Sequence, residues 1–404
     1  MLLLPYCLTQ KCLISLSTLK FLFTVKEIVS NSTVYELALA SVLIVALLVQ
    51  LYYYLVPYLK VAIYKKSISN KSLESIPISV IICARDEEEN LEKFLPQILE
   101  QDYLNFEVIV VNDCSSDNSQ YVLDRLVAKY PKLRVTTIKE DEKFSHSKKL
   151  ALTVGIKGAK NEWLVLTDAD CKPEGKDWLA SISTNFSGNT EVILGYGGFF
   201  SEKGFLNKLI RFDGLFIAMQ YLGFALAGKP YMGVGRNLAY KKDTFFNNKG
   251  FASHSHIYSG DDDLFINEVA KKSNTKVELQ SNSFTRTLAE NTYKKWENQK
   301  RRHISTSNRY RFSTKIILVG EVLSRVLFFG AAIALIVLQY YPWVIAGTIL
   351  FRLIIQLSII KGVMNRLSEK KLLLLSPLYD FYSLFFYGRI WLLNIINPRK
   401  ATWR

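Results

Sequence analysis

The spacing of hydrophobic and polar positions changes twice along this chain. Leu37 to Leu59 carries no formal charge and is long enough to cross a hydrocarbon core at about 1.5 Å of rise per residue. From about residue 76 the pattern becomes short apolar runs alternating with amphipathic stretches. It predicts strands at Ile78–Cys83, Phe106–Val111, Val135–Ile138 and Trp163–Thr167. Between them it predicts helices at Asn90–Leu99, around Val122–Val127 and at Ser147–Gly158. Repeated strand–helix units imply a mostly parallel sheet with helices on both faces. From Ile316 to Ile360 the chain is apolar again, as two spans separated by Tyr340-Tyr-Pro-Trp343.

The second half of the middle region is less regular. Val192–Leu194 and Asn237–Tyr240 read as strands, and Gly233-Val-Gly-Arg-Asn-Leu-Ala as a flexible approach to the second of these. Phe205–Leu226 is apolar enough for an interfacial helix or acceptor groove, and equally suits a core helix. Leu372–Ile396 is hydrophobic but interrupted by Pro377, Asp380 and Arg389, so a third span, a re-entrant hairpin and an in-plane helix all fit. Within the apolar segments, Glu321 and Arg325 lie four residues apart and are placed to pair, while Arg352 must snorkel or face protein. The organisation is therefore an apolar segment over 1–36, a membrane helix over 37–59, an α/β domain over 75–315, and a membrane region over 316–404. That last region holds spans near 316–341 and 343–360 and the interrupted segment near 372–396.

Composition sharpens this picture. The chain has 404 residues, is 49% hydrophobic, and carries a net charge of +15. Lys60, Lys65, Lys66 and Lys71 follow the first apolar helix, and Lys294 to Lys315 precedes the next, so the charge points to an anionic membrane face. No groove-reading motif accompanies it, which disfavours nucleic acid as a partner. Residues 1–25 are apolar but broken by Lys11 and Lys20, without a clear small-residue cleavage site. The five cysteines, Cys7, Cys12, Cys83, Cys114 and Cys171, lack zinc spacing and suit small-residue packing in a reducing compartment.

Three polar clusters fall at the carboxyl ends of predicted strands, where parallel sheets bind ligands. They are Arg85-Asp-Glu-Glu, Asn112-Asp-Cys-Ser-Ser-Asp and Asp168-Ala-Asp170. On an extended segment Asp168 and Asp170 share a face and can hold one hard divalent cation; strand-ending turn chemistry is the alternative. Gly260-Asp-Asp-Asp263 opens a helix, where the dipole favours acids, yet three exceed what a cap requires. Lys148 precedes a helix near the same edge, placed either to contact phosphate or simply to be solvated.

In order and content these clusters resemble the family 2 glycosyltransferases of GT-A fold. The resemblance is to the membrane-integrated branch with cellulose, hyaluronan and poly-N-acetylglucosamine synthases and ceramide glucosyltransferases. It covers roughly residues 75 to 315 and implies an α/β GT-A (Rossmann-like) nucleotide-sugar-binding domain flanked by transmembrane helices. Ile81-Ile-Cys-Ala-Arg-Asp-Glu-Glu-Glu-Asn90 resembles the family's opening strand and loop, implying that Ala84, Arg85 and Glu87 help receive the nucleotide base. Asp113 matches the acid that contacts the uracil and ribose region. Asp168-Ala-Asp170 matches the metal motif, implying Mg²⁺ or Mn²⁺, with Asp168 also facing the substrate. Asp261 matches the catalytic base, leaving Asp262 and Asp263 for capping or supporting contacts, and a one-residue shift would make Asp262 the base. Gln299-Lys-Arg-Arg302 matches the Gln-x-x-Arg-Trp motif except that His303 stands where the family has Trp.

The implied activity is inverting transfer from a UDP-sugar to a polysaccharide or lipid hydroxyl at the cytoplasmic face of the cell inner membrane. The implied phosphate contacts are Lys148 and a bidentate Arg302. A glycosyltransferase-like membrane scaffold that has lost catalysis is the alternative, and retention of Asp113, Asp168, Asp170 and Asp261 argues against it. The basic flanks generate a topological expectation. A reporter fused after residue 290 should read cytoplasmic, and impermeant thiol reagents should miss Cys83, Cys114 and Cys171 in intact cells. An externally active reporter there would overturn the orientation.

Overall fold

The computed structural model describes residues 32–66, 76–139, 147–257 and 259–397. The readings made for residues 1–31 and for Lys71 lie outside these. Contacts divide the chain into two compact units: residues up to Gln50 with Glu321–Arg352, and Leu51–Gly320 with Leu353–Arg404.

The second unit is built on a seven-stranded sheet of order β3-β2-β1-β4-β8-β6-β9. Its first strands are β1 (Ile78–Ala84), β2 (Phe106–Asp113), β3 (Leu133–Ile138) and β4 (Trp163–Leu166), all parallel. Ile, Val and Leu fill β1, β2 and β4 because helices cover both faces. The covering helices are α2 (Glu88–Leu99), α3 (Ser119–Lys129) and α4 (Lys148–Gly158). The α2 stripe of Leu91, Phe94, Leu95 and Ile98 is fully buried, as its period predicts.

The sheet departs from the expected mostly parallel arrangement at β8 (Leu238–Lys241). This strand runs antiparallel to both β4 and β6 (Val192–Leu194), while β9 (Thr275–Val277) is parallel to β6. The register pairs Leu166 with Leu238, so the chain enters β8 at the edge where β4 ends. The segment read as a flexible approach is thereby delivered to the ligand edge. A second sheet of order β5-β10-β7 joins Lys172–Pro173, Thr285–Thr287 and Gly197–Phe199. Short helices α5 (Trp178–Ser183), α7 (Lys242–Asn247) and α8 (Asp263–Val269) complete the domain.

Four described helices are long and apolar enough to cross a membrane: α1 (Val34–Ala62), α6 (Phe205–Leu226), α10 (Phe312–Val337) and α11 (Pro342–Arg366). Of these, α6 is mostly buried within the second unit. Beyond α11, α12 (Leu375–Ile396) packs on α9 (Tyr293–Ser307). Just past α1, Lys66 Nζ reaches the fully buried Glu278 carboxylate at 2.7 Å. In the first unit, Leu43 and Ala46 pack with Phe328, Ala332, Leu335 and Ile345. Glu321 and Arg325 pair at 2.9 Å with both side chains buried. Arg352 faces protein rather than snorkelling: it donates to Gln50 and lies over the Phe328 and Phe329 rings.

The helix that carries Lys148 sits tightly on the sheet. A Cβ at Gly155 of α4 would lie 2.8 Å from Ile81 Cγ2 and 3.1 Å from Val111 Cγ2. Gly155→Val should therefore overpack this contact and cost about 1–3 kcal/mol. A lowered thermal midpoint checks this, and an unchanged one would mean that α4 moves away freely.

Candidate active site

Strand β4 stops at Leu166, and the next residues turn instead of continuing extended. The Cys171 N–H donates to the Asp168 carbonyl at 3.1 Å, closing the turn. This corrects the expectation of an extended Asp168–Asp170 pair, but the turn still gathers the carboxylates. Donor atoms of Asp168, Asp170 and Cys171 lie within 4.8 Å of one another. Burial, then the neighbouring Asp168, raises Asp170 above the usual carboxylate range, while the Thr287 hydroxyl donates to it at 2.7 Å. Two carboxylates that repel in this way suit a hard divalent cation. Burial, then Asp170, pushes the Cys171 thiol well up, so it stays protonated and does not offer the thiolate a soft metal prefers.

Lys148 is the first residue of α4, capped by Ser147, whose side chain accepts from Leu150 N. Its ammonium lies 2.7 Å from Asp168 Oδ1 and 3.2 Å from Asp261 Oδ2. One cation thus joins the turn after β4 to the loop before α8. Burial opposes the Lys148 charge, but Asp168, Asp261 and Asp262 outweigh it and hold the pKa well above its ordinary value. Burial pushes the thiol of Cys83, at the end of β1, well up.

The three consecutive acids have different surroundings. Helix α8 starts at Asp263, with Asp262 as its cap and Asp261 ahead of it, so the acids straddle the helix start. Gly260 has φ +93°, a conformation that a side chain at that position would strain. Both Asp262 oxygens are engaged by backbone, one by Gly235 N at 2.7 Å and one by Asp263 N at 2.8 Å. Burial, followed by Asp261 and Asp263, pushes Asp262 up to about 7. Asp263 accepts from Thr306 at 2.5 Å and Tyr310 at 2.7 Å, tying α8 to α9 and the turn beyond it. For Asp261, burial acts upward, yet Lys148 prevails and keeps its carboxyl below the ordinary value.

At the same edge of the sheet, the loops after β1 and β2 lock together. Asp86, at φ +55°, accepts from Ser116 N at 2.7 Å, and its own N–H donates to Ser115 Oγ at 3.0 Å. Glu87 N donates to Ser119 Oγ at 3.0 Å and Glu88 N to Asp117 Oδ2 at 3.0 Å. Ala84 and Asp113 are buried at their strand ends, and Arg85 is half-buried beside them. Burial, with Asp170, Asp168 and Asp117 nearby, pushes Glu87 up to about 7 despite its bond from Asn90.

Two contributors to this edge were missed in the sequence. The Arg236 guanidinium stacks over Phe199 at 4.5 Å, and its carbonyl accepts from Thr167 at 3.0 Å and Thr285 at 2.9 Å. Thr287 holds Asp170. Thr287 stands in no motif, and Arg236 lies in the stretch read only as a flexible approach to a strand. On α9, Gln299 and Arg302 are partly exposed, and the Arg302 guanidinium makes no ion pair among the described residues. His303, the next residue of the same helix, is exposed. Two residues of the basic run 294–315 are instead engaged within the protein. Lys300 is buried against Asp213, and Arg301 binds Asn394 Oδ1 at 3.0 Å and the Asn397 carbonyl at 2.7 Å.

Residues 79–247 match the family described as Glycosyl transferase family 2. An uncharacterized glycosyltransferase of Haemophilus influenzae is 28% identical over 123 residues, covering 30% of this chain and 36% of that protein. Glycosyltransferase AglE of Haloferax volcanii is 28% identical over 120 residues, covering 29% of this chain and 38% of that one. The matches thus span little more than a third of either relative. The solved structure of mannosyltransferase PcManGT from Pyrobaculum calidifontis, in complex with GDP-Man and Mn²⁺, superposes with a TM-score of 0.53. At 19% identity it covers 86% of this chain and 98% of its own, and it shows a shared GT-A-like α/β fold. Residues 79–247 are thus similar to family 2 glycosyltransferase domains and share the GT-A-like α/β fold.

The Lys148 bridge has a measurable pH signature. The depressed Asp261 contributes stability above its unfolded value near 3.9, lost as pH falls through the lower folded value. The raised Lys148 contributes stability below its unfolded value near 10.4, lost as pH rises through the folded one. Lys148→Met should therefore destabilise the fold most between about pH 4 and 10, by about 1–3 kcal/mol, and least at the acid end, as read from the thermal midpoint. A deficit that is flat with pH would separate Lys148 from these acids.

Proposed function

We propose that the glycosyltransferase domain performs inverting transfer from a nucleotide-sugar, UDP-linked on the family resemblance, to a polysaccharide or lipid hydroxyl at the cytoplasmic face of a membrane. The observation that carries this reading is the convergence of Asp168 and Asp261 on Lys148. It brings a diphosphate-side acid pair and a candidate base to one edge of the sheet.

The roles follow from the surroundings. Asp168 and Asp170 would hold Mg²⁺ or Mn²⁺, which when bound neutralises charge developing on the departing diphosphate. Thr287 fixes the Asp170 carboxylate for that task. Asp113, Ala84, Arg85 and Glu87 line the edge assigned to the nucleoside, with Glu87 protonated in part near neutral pH. Lys148 adds fixed positive charge, and Arg302 and Gln299 supply donors from α9. Asp261 remains ionised and accepts the proton of the acceptor hydroxyl as oxygen attacks the anomeric carbon. Asp262, with both oxygens held by backbone N–H groups, shapes the loop instead. A single displacement inverts the anomeric centre without a covalent sugar–enzyme intermediate.

The membrane reading rests on α1, α10 and α11 and on the two faces of α12. Leu374, Leu378, Phe381, Phe385 and Leu392 are exposed on and beside α12, whereas Tyr379, Asp380, Ser383 and Phe386 are buried. That division supports an in-plane helix over residues 372–396, with the apolar side toward lipid.

The test uses the full chain in lipid with a panel of UDP- and GDP-sugars, reading the released nucleoside diphosphate. Turnover should need Mg²⁺ or Mn²⁺, and activity persisting in excess EDTA would remove the metal assignment. Asp261→Asn should keep donor binding while losing about 10²–10⁴-fold in transfer. If Asp261→Asn works normally and Asp262→Asn does not, the base is Asp262.

A further inference from the structure

Away from the reacting edge, the second unit buries an acid that the mechanism does not use. Glu369 follows α11 by a few residues and is 3% exposed. It accepts from Arg211 Nε at 3.1 Å and Nη2 at 2.6 Å, from Arg286 Nη1, and from the Tyr196 hydroxyl at 3.0 Å. The same guanidiniums close over the backbone on either side. Arg286 Nη2 reaches the Leu367 carbonyl at 3.1 Å and Arg211 Nη2 that of Lys370 at 3.3 Å. Arg286 Nε also pairs with Glu174 at 2.7 Å. An apolar plug of similar volume commonly stabilises as well as a buried ion set, so stability alone does not account for this arrangement.

Strand β10 gives the arrangement a direction. Its three residues are Thr285, Arg286 and Thr287, and successive side chains of a strand point to opposite faces. Arg286 points to Glu369. Thr285 and Thr287 point the other way, to the Arg236 carbonyl and the Asp170 carboxylate. The Thr287 hydroxyl is thus one residue from the anchored arginine and 2.7 Å from the acid assigned to the metal.

We propose that Glu369 is a positioning residue for Asp170: by fixing Arg286 it sets β10, and β10 sets the hydroxyl that orients the metal-binding carboxylate. The segment between α11 and α12 thereby becomes part of the metal site without touching it. This deepens the metal reading proposed above and rests on it.

The experiment measures Mn²⁺ binding to the full chain in lipid nanodiscs, from the electron paramagnetic resonance signal of free Mn²⁺, without turnover. Thr287→Val should weaken binding about 10-fold, the low end for loss of an outer partner of a metal ligand. Glu369→Gln should weaken it to a similar extent, and the double variant should be no weaker than either single one. Such non-additivity is the mark of two residues acting along one line. Mn²⁺ affinity unchanged in Glu369→Gln, or losses that simply add, overturns the proposal. Should Glu369→Gln fail to fold, Arg286→Lys keeps a positive charge between Glu369 and Glu174 but loses the fork. A folded Arg286→Lys with wild-type Mn²⁺ affinity also overturns it. A wild-type chain that binds no Mn²⁺ removes the metal reading itself, an outcome distinct from variants that match a competent wild type.

Discussion

One ammonium group lets the acids of this site share a single edge. Carboxylates from the turn after β4 and the loop before α8 repel one another, and partial burial makes that repulsion costly. Lys148 touches one acid from each side, so the repulsion becomes attraction along a line through the start of α4. Much else depends on that position. The close seat of Gly155 on β1 and β2 fixes where α4 begins, and the antiparallel entry of β8 brings Gly235 to Asp262. The electrostatics then differentiate three adjacent acids. Asp261 is kept ionised, Asp262 is pulled toward neutrality, and Asp263 is absorbed into the bonds that join α8 to the end of α9.

What was legible in the sequence is what local periodicity encodes. The strands of the first half follow from runs such as Ile78–Ala84, and α2 follows from Leu91, Phe94, Leu95 and Ile98. The candidate acids were legible because each follows a strand or opens a helix. Periodicity is silent about partners that are distant in sequence. Arg236, Thr287 and Glu369 reach their places through β8, β10 and the end of α11, and no spacing rule links Thr287 to Asp170. For the same reason the basic run over 294–315 looked uniform. Its sites differ only because Asp213 and the end of α12 stand opposite Lys300 and Arg301. The direction of β8 was likewise hidden, since a four-residue apolar strand reads the same in either sense.

Buried charge in this domain is concentrated where helices outside the sheet meet it. Asp213 of α6 receives Lys300 of α9 and the hydroxyls of Tyr379 and Tyr387 of α12, so one carboxylate joins three helices. Glu369 does the same for α6, β10 and the turn after α11. A hydrogen-bonded buried ion tolerates little sliding, because each lost partner leaves an uncompensated charge. The register of these helices on the domain is accordingly narrow.

The pair between Lys66 and Glu278 also has a consequence in time. Its members stand 212 residues apart in the chain. At roughly 5–20 residues per second of synthesis, on the order of 10–40 s separate the emergence of the lysine from that of its partner. During that interval the ammonium lacks its native partner. On the membrane reading, it is then one of the charges that hold the following segment on the side where it was made. Once Glu278 arrives, the same group becomes an internal strut, and on that reading a signal used during insertion would become a part of the finished fold.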